Sequence, residues 1–240
     1  MDEGKTSTDP LSSGSIARVN RPKRDAIAWY DRISPWYDAL VARFDRAPRN
    51  HGINLLNAET GDWVLEVGFG TGRALVSLAD SVGSNGRVVG LDSSGGMCDV
   101  TRERVAEADV TDRVSLVRGD AERPPFDGDA FDAVFASFTL ELFDTPALPT
   151  VLGEWRRVLR DDGRLGVVAL SKRDAGPVTR AYERLHEAFP RYADCRPIFV
   201  RELLEEAGFT VVEAETYPLW GLTAEIVVAT PRRHDDDLST

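Results

Sequence analysis

The sequence predicts an α/β domain in which a largely parallel sheet is covered by helices on both faces. Three observations carry that prediction. Between residues 62 and 206, short apolar and β-branched runs alternate with segments of helical spacing. The first run breaks into "GFGTG", a glycine-rich turn that leads straight into a helical pattern. Beyond residue 208 the rhythm changes, and two β-rich segments follow one another with no helix between them. Parallel neighbours need a long crossover, whereas antiparallel neighbours need only a turn.

Taken in order, residues 1 to 20 are small and polar, and a disordered tail is expected there. Residues 21 to 60 are expected to form a helical lid, or an amphipathic helix packed on the domain. They hold "WYDRISPWYDAL", where two Trp-Tyr-Asp triplets stand seven residues apart, placing their rings on nearly one helical face. Pro35 is expected to interrupt that helix, because it lacks an amide proton and crowds the preceding turn. The domain proper is expected over 61 to 230. "DWVLEV" is its first strand and "RALVSLADSV" the helix after it. "GRVVGLD" and "MCDVTRERVAEA" repeat the pair, and "RVSLVRGD" and "FDAVFASF" are two more strands. "LPTVLGEWRRVLR" reads as an amphipathic helix closed by "DDG", with "RLGVVAL" as the fifth strand. "VRELLEEAG" is a further helix, and "FTVVEAETYPLWGLTAEIVVAT" an antiparallel pair joined around Tyr217 to Leu222. Residues 231 to 240 are expected to form a second disordered tail.

At 240 residues, with 42% apolar and 29% charged residues, the chain suits one well-buried soluble domain. No run approaches the roughly 18 apolar residues that a membrane helix needs, and the polar N-terminus lacks the apolar core of a secretory signal. The expected location is therefore cytoplasmic. A net charge of -11 argues against a nucleic-acid partner, since phosphate backbones are bound by clustered Lys and Arg. Cys98 and Cys195 have no metal-ligand spacing, and His51, His186 and His234 are scattered, so neither a metal nor a His-based triad is expected.

In open α/β sheets the ligand sits beyond the carboxyl ends of the strands. There the sequence places Glu66, Gly68, Gly70 and Gly72, then Asp92, Asp120, and Ser137 to Glu141. A dinucleotide would want G-x-G-x-x-G and a loop free of negative charge. This loop runs G-x-G-x-G with Glu66 at its mouth, which suits a ligand with a cationic centre and no phosphate. S-adenosylmethionine is such a ligand, with a sulfonium, an amino-acid head and a ribose diol that Asp92 can accept from. A nicotinamide-dependent oxidoreductase stays open as an alternative, as does a cofactor-binding regulatory protein without catalysis.

"VLEVGFGTG", "GLDSSGGM", "GDAERPPF" and "FDAVFASFTLELF" resemble the successive motifs of class I S-adenosylmethionine-dependent methyltransferases, in the small-molecule branch that includes the ubiquinone/menaquinone C-methyltransferases. The resemblance runs over about residues 27 to 230. It implies a Rossmann-like seven-stranded sheet, mostly parallel with an antiparallel C-terminal strand. It further implies that Gly68, Gly70, Thr71 and Gly72 meet the methionine portion, with Glu66 and Tyr37 at that end. Asp92 would take the ribose hydroxyls, Ser93 and Met97 would border the adenine, Asp120 and Ala121 would bond its edge, and Ser137 would begin the wall facing the methyl group. Met97 reads equally well as core, and Asp120 as a helix cap.

The acceptor is expected to be a small molecule or a lipid head group. Glu141 is the leading candidate for touching it. Tyr30 or Trp36 would cover the pocket, and Arg196, with Tyr182 and His186, would recognise an anionic or polar acceptor. A solvated helix face explains that last group as well. Where quinone enzymes follow their "YD" with Asn, Ser, Gly, His and Trp-Lys character, this chain has "ALVARFDRAPRNHG", which speaks against a quinone.

Overall fold

Seven strands form one sheet: β1 (Trp63–Val67), β2 (Arg87–Asp92), β3 (Val114–Arg118), β4 (Phe131–Ser137), β5 (Leu159–Leu170), β6 (Phe209–Leu219) and β7 (Leu222–Pro231). The computed structural model describes residues 16, 18–19, 22–173, 176–188 and 195–232, without the side chains of 38–43 and 187–188. The strand order is β3-β2-β1-β4-β5-β7-β6. Of these strands only β7 runs antiparallel to its neighbours, β5 and β6. The central strands are apolar on both faces because both are covered. In β1, Val64, Leu65 and Val67 are all fully buried.

One face carries α1 (Lys23–Leu56), α2 (Arg73–Val82) and α3 (Gly95–Glu107), whose Ile53, Leu56, Leu75, Leu78, Met97 and Val105 pack with Val64, Phe135 and Val168 of the sheet. The other carries α4 (Leu148–Val158) and α6 (Val200–Glu206), packed through Trp155, Leu203 and Leu204 against Leu65, Val134 and Val167. A further helix, α5 (Pro177–Ala188), follows β5. The chain reverses direction between β1 and β4 in the strand order, so the crevice opens at the carboxyl ends on either side of that point.

Two expectations are corrected. The N-terminal helix is continuous through Pro35 and Pro48. The carbonyl that Pro35 deprives of its helical partner belongs to Asp31, and the Ser34 hydroxyl donates to it at 3.2 Å instead. "DDG" does not close α4: that helix ends at Val158, and the segment is an excursion within β5, whose register with β4 shifts between Phe131 and Ala133. The tails expected at 1 to 20 and 231 to 240 lie mostly outside the described residues; Ile16, which is described, is 3% exposed and packs in the core.

Candidate functional site

The glycine loop lies between β1 and α2. Gly68 donates to the Leu91 carbonyl at 2.8 Å, tying the loop to β2. A Cβ on Gly68 would collide with Thr139, and one on Gly72 with Thr101. Gly70 differs. At φ +52, a Cβ there would meet nothing within 4 Å, so the loop crest faces open space. Thr71 is buried, and its carbonyl accepts from Arg104 of α3.

Asp92, the last residue of β2, accepts from Gly70 N and Ser94 N, both at 2.9 Å. Burial raises its carboxyl above the ordinary Asp range, and the bonds from Ser94 and Gly70 offset part of that. A carboxylate offers about four lone-pair positions, so Asp92 keeps capacity for two hydroxyls. Glu66 is 3% exposed, and its Oε2 has no hydrogen-bond partner. Burial pushes its carboxyl well above the usual range, with the Arg49 guanidinium opposing and the Asp92 charge adding. An acceptor oxygen orphaned beside an open glycine crest fits a cationic ligand. On these observations the loop suits S-adenosylmethionine, which would be held by Glu66, the Gly68–Gly72 backbone and Asp92.

The remaining expected residues divide. Ser93 lies beside Asp92, its carbonyl accepting from Arg118 at 3.2 Å. Met97, in the first turn of α3, is buried in the core, and its amide donates to the Ser94 cap. Asp120 is engaged by the Lys23 ammonium and accepts from Glu122 N at 2.9 Å, so it already caps a turn. The Ala121 carbonyl accepts from Trp155 Nε1 at 3.2 Å. Ser137 ends β4, and its Oγ is buried without a partner. Tyr30 and Tyr37 lie together, ring centroids 6.2 Å apart, against the core on the α1 face.

The acceptor candidates fare worse. Glu141 is fully buried, its Oε1 accepting from Leu170 N at 3.3 Å. Arg196 is fully buried as well. Its guanidinium donates to the carbonyls of Glu141 and Phe143 and to Thr145 Oγ1, and burial lowers it to about 10. Both residues stitch the segment after β4 to that after β5. Tyr182 donates to the Cys195 carbonyl at 2.8 Å, and His186 is buried. Trp36 is 70% exposed.

Sequence reasoning missed three features. Phe138, just past β4, sits at φ +52, strained for a bulky residue beside the crevice. The hairpin between β6 and β7 turns on Trp220 and Gly221, at φ +56 and +87. Because β7 is antiparallel to β5, with Ala224 opposite Leu170, that tip stands at the carboxyl edge of the sheet. The third is the Asp45–Arg49 pair of α1, joined at 2.7 Å. A salt-bridged pair at i, i+4 on a helix's inward face was the signal for it.

The strand order, glycine crest and terminal Asp define a nucleoside-binding α/β enzyme of the methyltransferase class. A family model described as "Methyltransferase domain" matches residues 64–163. Demethylmenaquinone methyltransferase of Listeria monocytogenes serotype 4a (strain HCC23) is 32% identical over 174 residues, 71% of this chain and 70% of that one. Nocamycin O-methyltransferase of Saccharothrix syringae is 37% identical over 138 residues, 58% of this chain and 48% of its own. In fold, the chain is similar to Burkholderia thailandensis 1,6-didemethyltoxoflavin-N1-methyltransferase, solved with its acceptor and S-adenosylhomocysteine, at a TM-score of 0.66 and 21% identity, covering 91% of this chain and 95% of that one. The chain belongs to the class I S-adenosylmethionine-dependent methyltransferases. It is an enzyme that uses S-adenosylmethionine and acts on small molecules, which sets aside the nicotinamide and non-catalytic alternatives. No helix among the described residues is long and apolar enough to cross a membrane.

Proposed function

We propose that the acceptor is an apolar or aromatic small molecule, entering between α1, α5 and the β6–β7 hairpin. The observation that carries this reading is Trp220. It is 77% exposed at the hairpin tip, in a backbone conformation that favours Asn or Gly, and its ring lies 5.2 Å from that of Phe44. Val178 of α5, also exposed, stands 3.2 Å from a Cβ built on the neighbouring Gly221. A bulky aromatic kept in a strained and solvated position, with an apolar partner from each flanking element, suits recognition better than packing. The relatives that act on demethylmenaquinone and nocamycin support the same class of acceptor.

S-adenosylmethionine, when bound, supplies a methyl group on a sulfonium, an intrinsically good leaving group. The chain's own work is alignment and exclusion of water. Asp92 orients the ribose hydroxyls, and Ser93, Met97, Asp120 and Ala121 border the base. Ser137, with its buried unpartnered Oγ, and the strained Phe138 shape the wall where the acceptor atom must approach in line. Tyr37 and Tyr30 close the α1 side. Glu141 and Arg196 act through the loop they brace. We also place the enzyme in the cytoplasm.

Incubating the full chain with methyl-labelled cofactor and a cell extract, then partitioning the products, tests the acceptor class. Label is expected in low-mass, organic-soluble material. Label on phospholipid would move the acceptor to a lipid head group, and label confined to polar metabolites would overturn the apolar reading.

A further inference from the structure

The inward face of α1 changes character where the sheet beneath it ends. Asp45, Arg49, Gly52 and Leu56 recur at spacings that keep them on one stripe of the helix, while Arg46, Ala47 and Asn50 face solvent. A Cβ built on Gly166 of β5 would stand 3.1 Å from Leu56, and one on Gly52 would stand 2.5 Å from Val168. One turn back along α1 thus advances two residues along β5. That is the step of a helix and a strand running side by side in opposite directions, since each then covers about 6 Å. The same step brings Arg49 close to the level of Leu170, the last residue of β5, and carries Asp45 beyond it. Phe44, next to Asp45, meets Trp220 at the hairpin tip, which fixes the direction independently.

The pair therefore overhangs the carboxyl edge on the side where the acceptor enters. Arg49 is 6% exposed and binds Asp45 Oδ2 at 2.7 Å. Arg49 Nε and Asp45 Oδ1 are nevertheless buried with no hydrogen-bond partner among the described residues. Stability does not account for this. A buried ion pair is often no better than apolar residues of the same volume, and open buried atoms make it worse. The surroundings are aromatic. Phe138, whose amide donates to the Val168 carbonyl at 2.7 Å, packs on the same face as α1, and so does Tyr217, which stands opposite Ala224. One open donor and one open acceptor in an aromatic setting suit a ligand that offers the reverse.

We infer that Asp45 and Arg49 are the polar anchor of the acceptor pocket, and that the acceptor is a phenol or an enol. Asp45 Oδ1 accepts from its acidic hydroxyl, and Arg49 Nε donates to a second oxygen on the same ring system. The inference rests on the apolar-acceptor reading and deepens it: the aromatic wall takes the ring, and the pair takes its hydroxyl and so fixes how the ring is turned.

A labelled-methyl assay with the full chain, using an organic extract of cells as the acceptor pool, tests it. Acetylating the extract beforehand should abolish label in organic-soluble products. Mild alkaline hydrolysis, which frees phenols and enols but not amines, should restore it. Asp45→Asn should raise the half-saturating extract concentration roughly ten- to hundredfold, the size of a hydrogen bond to a charged group, and change S-adenosylhomocysteine affinity by less than about threefold. Label that survives acetylation, label that hydrolysis does not restore, or an unchanged half-saturation would overturn the anchor and leave the apolar reading standing. Equal losses of acceptor and nucleoside affinity would overturn it too, assigning the pair to the cofactor or the fold. No organic-soluble label from untreated extract would overturn the apolar reading itself. If Asp45→Asn does not fold, Asp45→Leu/Arg49→Met replaces both charges with apolar groups. That variant should keep its Tm and show the same rise in half-saturation; normal half-saturation, or failure of this variant to fold, counts against the anchor.

Discussion

Gly70 and Gly72 both sit at positive φ, two residues apart, but one faces open space and the other faces Thr101. Gly70→Ala should therefore fold, at a cost of about 1–2 kcal/mol for the left-handed backbone, yet lose S-adenosylhomocysteine binding. Gly72→Ala should be the less stable of the two, because its Cβ meets Thr101. Thermal melts with and without the nucleoside separate these effects, and a Gly70→Ala variant that binds normally would place the ligand elsewhere. Asp92 offers a pH test. Burial raises its folded pKa, so on acidification the folded chain takes up a proton before the unfolded chain does. From this group alone, stability falls as pH rises from the ordinary Asp value through the raised one. Nucleoside affinity runs the opposite way, since only the carboxylate accepts from the ribose diol. Affinity should drop on acidification at a pH above the ordinary Asp value of about 3.9, and Asp92→Asn should bind more weakly with a flatter profile.

At the scale of elements, α1 is joined to α3 through one carboxylate. Asp31 Oδ1 accepts from Ser94 Oγ at 2.6 Å and from Gly96 N at 3.0 Å. Gly96 permits the approach, because a Cβ there would stand 2.6 Å from Ser34 Oγ. Partial burial works to raise the Asp31 carboxyl, but the bonds from Ser94 and Gly96 outweigh it and hold it below the usual value. Its contribution is thus present above the ordinary Asp pKa and fades as pH falls through the depressed folded value. Asp31→Asn should lower Tm near neutral pH, and the two melting curves should converge in acid. A constant offset across that range would mean the charge is irrelevant to the contact. The hairpin element carries a separate prediction. Trp220→Ala should raise the acceptor KM several-fold and leave S-adenosylhomocysteine affinity unchanged.

Across the whole molecule, the N-terminal segment passes over the carboxyl edge and is fastened at three successive points. Arg18 pairs with Asp144 beyond β4, Lys23 with Asp120 and Glu122 beyond β3, and Asp31 with Ser94 beyond β2. The first two are largely solvent-exposed ion pairs, so salt should weaken them. In the Arg18→Gln/Lys23→Gln double variant, amide exchange over residues 18–24 should accelerate while Tm changes little. Unaltered exchange would show that Ile16 alone anchors the segment.

Much of this was legible in the sequence. The strand runs, the α2 boundaries and the closing antiparallel pair followed from local periodicity, since those signals are written in neighbouring residues. Glu66, Gly70 and Asp92 were legible too, because strand ends are local and the sheet's carboxyl edge collects them. The burial of Glu141 and Arg196 was not legible, for the complementary reason. A polar residue on a loop reads as exposed until the fold decides what closes over it, and here the segments after β4 and β5 bury both. Pro35 was misread because the rescue of the Asp31 carbonyl depends on a serine hydroxyl's rotamer. The sequence by itself determined the α/β architecture and the glycine crest, for these rest on periodicity and on residues close along the chain. Only the tertiary structure decided that Asp31 of α1 meets Ser94 at the start of α3 and that Trp220 meets Phe44, because those pairs are set by how α1 crosses the sheet, and no local pattern encodes a crossing.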